Sequence, residues 1–180
     1  MLHGWTSSLG ADQITATEIR TGLWTLRFLA LSLAVTPARQ LLELGALAKY
    51  RRTFGLFAFF YALVHVATWS WADMSFEPGL MWKEIVKHRY ILVGMLTLLM
   101  LIPLAATSTK WSIKRMGGAR WNRLHRLVYV AAVTGTIHYL WAVKKDTFFP
   151  LVYLAVFVLL LGYRVARATQ RRVAPGATAG

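Results

Sequence analysis

Two long stretches carry no charge at all, and they constrain this chain more than any other property. Residues 90–109 and 147–163 contain no Asp, Glu, Lys or Arg. A run of about 20 such residues, coiled as a helix, matches the roughly 30 Å hydrocarbon thickness of a bilayer. A water-soluble domain breaks its apolar runs wherever an element faces solvent and is about 25% charged; this chain is 57% hydrophobic and 16% charged. The reading that follows is a multi-pass membrane protein. Backbone groups inside lipid must satisfy one another, so spans of this length are helices. The fold class is therefore all-α, a polytopic helix bundle.

Five apolar segments are long enough to cross once, at residues 21–38, 53–71, 90–109, 127–143 and 147–163. The first is the weakest, because Arg27 lies inside it and has to reach a polar surface or cavity. No basic region followed by an apolar core stands at the start, so no cleavable signal is expected. The net charge of +14, which in a soluble chain would raise the question of nucleic acid, here has a topological explanation. Arg39, Lys49, Arg51 and Arg52 follow segment one; Lys110, Lys114, Arg115, Arg120, Arg123 and Arg126 follow segment three; Arg164, Arg167, Arg171 and Arg172 follow segment five. Those regions are expected on the cytoplasmic side, which puts the N-terminus out and the C-terminus in. The opposite ends carry Trp69, Trp71, Trp82 and Trp141, as an interfacial belt does. No repeat or separate soluble domain is visible. The expected organisation is an outer segment at residues 1–20, a membrane domain at 21–163 and a cytoplasmic tail at 164–180 that is disordered from residue 173.

Cysteine is absent, which excludes disulfides, thiolate nucleophiles and Cys-ligated zinc or iron–sulfur sites. Any metal must rest on other ligands, and five histidines are present: His3, His65, His88, His125 and His138. His3 lies in the terminus and His88 in an outer loop beside Arg89, so both are read as solvated. His65 and His138 fall within apolar spans, where an ionisable side chain is costly and its default reading is functional. Counted from the outer residues Asp73 and Lys144, they differ in height by only about 3 Å on helices of opposite direction. Two imidazoles at one level can fill both axial positions of a haem iron, leaving a centre that carries electrons and has no open site for dioxygen.

His125 precedes His138 by 13 residues, about 20 Å of helix and about 140° of rotation on an unbroken α-helix. The matching position on segment two is Arg52, where a second haem pair would need a histidine. Periodicity therefore predicts one complete bis-histidine site and one incomplete one. Met116 is a weak alternative ligand near His125, and Met95, Met100, Phe57, Phe59, Phe60 and Tyr61 read as packing or lipid-facing residues.

The ordered motifs Arg51-Arg52-Thr53-Phe54-Gly55-Leu56, Ala62-Leu63-Val64-His65, His88-Arg89-Tyr90, Pro103-Leu104-Ala105-Ala106-Thr107-Ser108, Trp121-Asn122-Arg123-Leu124-His125-Arg126-Leu127-Val128-Tyr129 and Ile137-His138-Tyr139-Leu140-Trp141 resemble the MsrQ (YedZ) family of the ferric-reductase-like transmembrane superfamily. The resemblance runs from about residue 9 to residue 163. It implies a bacterial inner-membrane cytochrome binding haem b, with His65, His125 and His138 as haem-associated residues. It implies a non-catalytic electron-transfer subunit that takes electrons from the quinone pool or a cytoplasmic flavin reductase. The implied acceptor is a periplasmic molybdopterin reductase, MsrP, which repairs methionine sulfoxide. The family is also described as binding FMN; the basic residues available to a phosphate are Arg51, Arg52, Lys114 and Arg115, with Gly117 and Gly118 beside the latter pair. Members of the family usually have a further helix before residue 9, giving six spans against five here.

Two other readings compete. A ferric or cupric reductase would need a nicotinamide and flavin partner, since no G-x-G-x-x-G fingerprint is present. A haem-free channel or scaffold would use the histidines as proton relays and would be colourless. The lack of any acid between residues 85 and 145 weighs against such a path.

Overall fold

The computed structural model describes residues 11–143 and 146–173. His3, Lys144, Lys145 and the tail beyond residue 173 lie outside the described residues. Every regular element among the described residues is helical: α1 (Ala11–Leu41), a 3-10 turn (Gly45–Leu47), α2 (Ala48–Ala72), α3 (Pro78–Lys87), α4 (Arg89–Ala106), α5 (Lys110–Met116), α6 (Gly118–Leu124), α7 (Leu127–Ala142) and α8 (Phe148–Val173). Each of the five apolar segments is a helix. Three helical stretches, Gly45–Ala72, Arg89–Ala106 and Phe148–Gln170, are long and apolar enough to cross a membrane on their own. The other two pack against them: α1 has 31 residues but carries Arg27 in its apolar stretch, and α7 has 16.

The bundle has its polar and apolar faces arranged for lipid. Leu159 is 72% exposed, Val165 64% and Phe60 55%, on helices that would expose a continuous apolar surface to water if no bilayer covered them. What the molecule buries is narrower. Leu26, Leu29 and Leu33 form one stripe of α1, and Leu98, Leu101 and Leu104 one stripe of α4. They meet Ala58 and Ala62 of α2, Ala131 and Ala132 of α7, and Phe157 of α8. Small residues at these positions let helix backbones approach closely, which matters in lipid, where dispersion replaces the hydrophobic effect as the packing force. The most extensive pairings are α1 with α2 and α4 with α7.

The ends of the bundle follow local rules. Helix α3 starts with Pro78 in its first turn, where the missing N–H costs nothing. It meets α4 at His88, whose extended backbone turns the chain without a linker. At the other end, α5 stops at Gly117, whose φ of +76° is a conformation that favours glycine. Helix α6 is then followed at once by His125 and Arg126, and the bonds from Val128 N to His125 O and from Tyr129 N to Arg126 O span three residues. That tightened junction separates His125 from α7. Trp71, Trp82 and Trp141 are exposed, as an interfacial belt needs, whereas Trp69 turns inward.

Candidate functional site

Between α1, α2, α4 and α7 lies a cavity of about 370 Å³. Its walls include Leu26, Ile91, Leu98 and Leu101, and two imidazoles project into it, His65 from α2 and His138 from α7. Their ring centroids are 6.0 Å apart and their planes are inclined by 77°. An iron bonded to one nitrogen of each ring at about 2 Å, with each ring centre about 1 Å behind its nitrogen, separates two centroids by roughly 6 Å. The spacing fits.

The hydrogen bonds decide which nitrogen is available. His65 Nδ1 lies 2.9 Å from the carbonyl of Glu18, and His138 Nδ1 lies 2.7 Å from the carbonyl of Tyr90. A carbonyl oxygen only accepts, so both Nδ1 atoms carry the proton and donate, and both Nε2 atoms keep a lone pair. This is the arrangement of metal-bound imidazoles, whose other ring N–H is held by a carbonyl or carboxylate. Among the described residues no group of three or more His, Asp or Glu could hold a bare metal ion. Two imidazoles with unprotonated Nε2 atoms would suit a metal that arrives within its own ring of ligands, as in haem.

Two glycines complete the cradle. A β-carbon on Gly94 of α4 would lie 2.7 Å from His138 Nδ1 and 2.9 Å from Cε1, closer than any side chain tolerates. On Gly22 of α1 it would lie 3.4 Å from the His65 ring, at the edge of ordinary contact. Glycine inside a helix costs about 1 kcal/mol relative to alanine; at Gly94 that cost clears the space for an imidazole. At the mouth of the cavity, outside the spanning segment, the Glu18 carboxyl is pushed up to about 7, first by burial and then by the charge and hydrogen bond of Asp73. Glu18 Oε1 is buried there with no hydrogen-bond partner.

The other candidates gather elsewhere. A second cavity, of about 230 Å³, opens at the opposite end, lined by Arg51, Arg52, His125, Trp121, Ser32 and Ser108 among others. Leu101 lines both cavities and is only 3% exposed, so one side chain forms the wall between them. His125 is bonded differently from the first pair. Thr107 Oγ1 lies 2.6 Å from the Pro103 carbonyl and gives its only proton there, so its 3.1 Å contact with His125 makes Nε2 the donor. The ring stacks on Trp121 at 3.7 Å, and Trp121 Nε1 donates to the Thr107 carbonyl. Burial, then the charge of Arg51, push the His125 imidazole below its ordinary value, so it is neutral at pH 7. The rotation of about 140° expected on a continuous helix does not apply, because the chain breaks after His125.

Arg51, Arg52 and His125 are thus brought together, while Lys114 and Arg115 are not. Both project from α5 into the exposed surface, and Arg115 sits over the Trp111 ring at 5.0 Å. Met116 lines neither cavity. His88 pairs with Glu84 at 3.0 Å at the start of α4. Reasoning from side-chain types missed the two backbone carbonyls and the two glycines. The carbonyls leave no trace in residue identity, whereas helical glycines in an apolar span were a readable sign.

The profile of the family described as ferric reductase like transmembrane component matches residues 21–136, which contain His65 and His125. Proteins named protein-methionine-sulfoxide reductase heme-binding subunit MsrQ are similar over nearly the whole chain. The protein of Rhodospirillum rubrum is 48% identical, covering 91% of this chain and 79% of the relative. That of Herminiimonas arsenicoxydans is 46% identical over 97% and 81%, and that of Caulobacter vibrioides 43% over 96% and 83%. No solved structure matches. With that similarity along the bundle that carries the paired imidazoles, the chain belongs to the MsrQ family of ferric-reductase-like transmembrane proteins.

Proposed function

We propose that the chain is the electron-carrying membrane subunit of a methionine sulfoxide repair system, binding one b-type haem between His65 and His138. The observation that carries this reading is the pair of imidazoles 6.0 Å apart that line a common cavity, each with Nδ1–H tied to a carbonyl so that Nε2 keeps its lone pair. When bound, the haem supplies reversible one-electron chemistry. The chain's residues supply the rest. His65 and His138 would hold the haem through their unprotonated Nε2 atoms, which would leave it to relay electrons rather than to bind dioxygen or substrate. The carbonyls of Glu18 and Tyr90 fix the ring tautomers and orientations. Leu26, Ile91, Leu98 and Leu101 keep the cavity apolar and exclude water.

On this reading the electron donor, a quinol or a reduced flavin, approaches at the inner cavity. There Arg51 and Arg52 attract an anionic group, and the neutral His125 offers Nδ1 as an acceptor. FMN, if carried, belongs at that edge rather than beside Lys114 and Arg115. The acceptor is a periplasmic molybdopterin reductase of the MsrP type, docking on the outer face near α3. The excess of basic residues at the inner ends supports an inner-membrane orientation with the C-terminus in the cytoplasm. A ferric- or cupric-reductase-like carrier is the second reading, favoured by the family profile, and differs in needing a metal chelate as acceptor.

The test is a reduced-minus-oxidised spectrum with pyridine-haemochrome quantification per chain. His65→Ala and His138→Ala are expected to lose the low-spin b-type signal, and His125→Ala to keep it. Undiminished haem in either of the first two defeats the assignment; loss in all three means that His125 also binds iron.

A further inference from the structure

Arg27 is the one charge inside the apolar stretch of α1, where it has to reach a polar surface or a cavity. It lines neither cavity and is exposed on the outside of the bundle, although its neighbour Leu26 is buried and lines the imidazole cavity. Its Nε donates to the Tyr153 hydroxyl of α8 at 3.3 Å, and its Cζ stands 4.7 Å from the centre of the Trp24 ring. Those contacts hold one edge and one face of the guanidinium. Its Nη1 and Nη2 have no hydrogen-bond partner among the described residues. No carboxylate answers the charge: α8 contains no Asp or Glu, α1 has none after Glu18, and the only ion pair among the described residues is His88 with Glu84.

Topology does not account for this residue, because Arg39 and the basic loop after it stand at the other end of α1. A guanidinium keeps its charge, and a charge facing lipid with unsatisfied donors is costly. The Trp24 ring and one neutral hydroxyl offset part of that cost. Depth indicates what completes the set. Arg27 follows Thr21 by six residues, about 9 Å of helical rise. Side chains on a helix lean toward its N-terminus, and this one does, since its guanidinium lies over the exposed ring of Trp24, one turn nearer that end. The charge is thereby raised to about 4.5 Å of rise below the start of the apolar stretch, within reach of the headgroup region. The anion that a bilayer offers there is a phosphate, and the planar end of a guanidinium matches two of its oxygens.

We propose that Arg27, flanked by Trp24 and Tyr153, binds the phosphate of a phospholipid on the outside of the bundle, across α1 and α8 at the end where α1 begins. Tyr153 holds Nε and fixes the plane of the guanidinium, Trp24 covers one face, and Nη1 and Nη2 are left for two phosphate oxygens. A lipid held there braces α1 against α8 behind the wall that Leu26 gives to the imidazole cavity. Tyr153 continues that wall, packing edge-on against Tyr139, which lines the same cavity.

The experiment is a melting-temperature titration of the purified full chain in maltoside micelles, with size-exclusion chromatography for its oligomeric state. The probes are dioleoylphosphatidylglycerol and dioleoylglycerol, which has the same acyl chains without phosphate. A saturable rise with the first and none with the second is expected. Losing a charge-assisted contact weakens binding by at least about tenfold, so Arg27→Leu is expected to raise the half-saturation concentration by that factor or more. Without lipid the same variant is expected to melt at or above the wild type, because a charge has left the apolar stretch; a merely structural arginine gives the opposite sign. Should Arg27→Leu fail to fold, Arg27→Lys, which keeps the charge and loses the fork, carries the test with a smaller shift in the same direction. Haem content is expected to be unchanged in both, which separates this site from the haem reading. The proposal is overturned if dioleoylglycerol stabilises as well as phosphatidylglycerol, or if the foldable variants titrate like the wild type. It is equally overturned if lipid has no effect and Arg27→Leu turns a dimer into a monomer, which assigns the guanidinium to a neighbouring helix.

Discussion

Replacing Gly94 by alanine tests the site geometry with a single methyl group. The added carbon would stand 2.7 Å from His138 Nδ1, where ordinary contact begins at 3.4 Å, so the ring has to retreat by about 0.7 Å. It is tethered on that side by the 2.7 Å bond to the Tyr90 carbonyl, so retreat stretches or breaks the bond that orients Nε2. Disturbing the group behind a metal-bound histidine costs about 10–100-fold in affinity, equivalent to about 1.4–2.7 kcal/mol. The backbone gains instead, because alanine in a helix interior is favoured over glycine by about 1 kcal/mol. Gly94→Ala is therefore expected to lose haem while its helicity and melting temperature without haem stay at or above the wild type. Gly22→Ala is the control: its carbon meets the His65 ring at 3.4 Å, and affinity should stay within about threefold. The assay is haem titration of apoprotein followed by absorbance, with circular dichroism for the fold. Wild-type affinity in Gly94→Ala, or an equal defect in both variants, refutes the reasoning.

Two further outcomes follow from residues around the cavities. Because the folded Glu18 carboxyl titrates at about 7 against 4.5 in the unfolded chain, the folded state holds more protons between those values, and stability falls as pH rises through that window and levels above it. Glu18→Gln should remove this component, read as the difference between wild-type and variant melting temperatures from pH 4 to 8; a difference that does not change with pH refutes it. Leu101→Ala should merge the two cavities and destabilise by about 2–5 kcal/mol, toward the lower end because lipid replaces water as the reference for the lost methyl groups. It leaves His65 and His138 in place, so haem content is expected to hold while the melting temperature drops; an unchanged melting temperature means that Leu101 is not the wall between the cavities.

Much of this molecule was legible in one dimension because a bilayer imposes a simple rule. A segment that must satisfy its own backbone in hydrocarbon is a helix, so uncharged runs at residues 90–109 and 147–163 fix element type without knowledge of any neighbour. The same economy flagged His65 and His138, since an ionisable group is costly in an apolar span. Counting residues along helices of opposite direction could equate their heights, because rise per residue is nearly constant. It could not bring the rings to 6.0 Å, which needs α2 and α7 to face one another across α1 and α4.

Only the tertiary structure assigned the tautomers, because the acceptors are the backbone carbonyls of Glu18 and Tyr90 and every residue type has one. It separated His125 from the pair for a related reason: the break after that residue depends on hydrogen bonds between Thr107, Trp121 and the α6–α7 junction, which no periodicity anticipates. It also divided four basic residues of equal appearance, setting Arg51 and Arg52 on a cavity and Lys114 and Arg115 on the surface. Residue identity and spacing determine what a helix can carry. Which side chains meet is decided by how helices pack, and that depends on small residues such as Ala58, Ala131 and Gly94 whose effect lies in the space they leave.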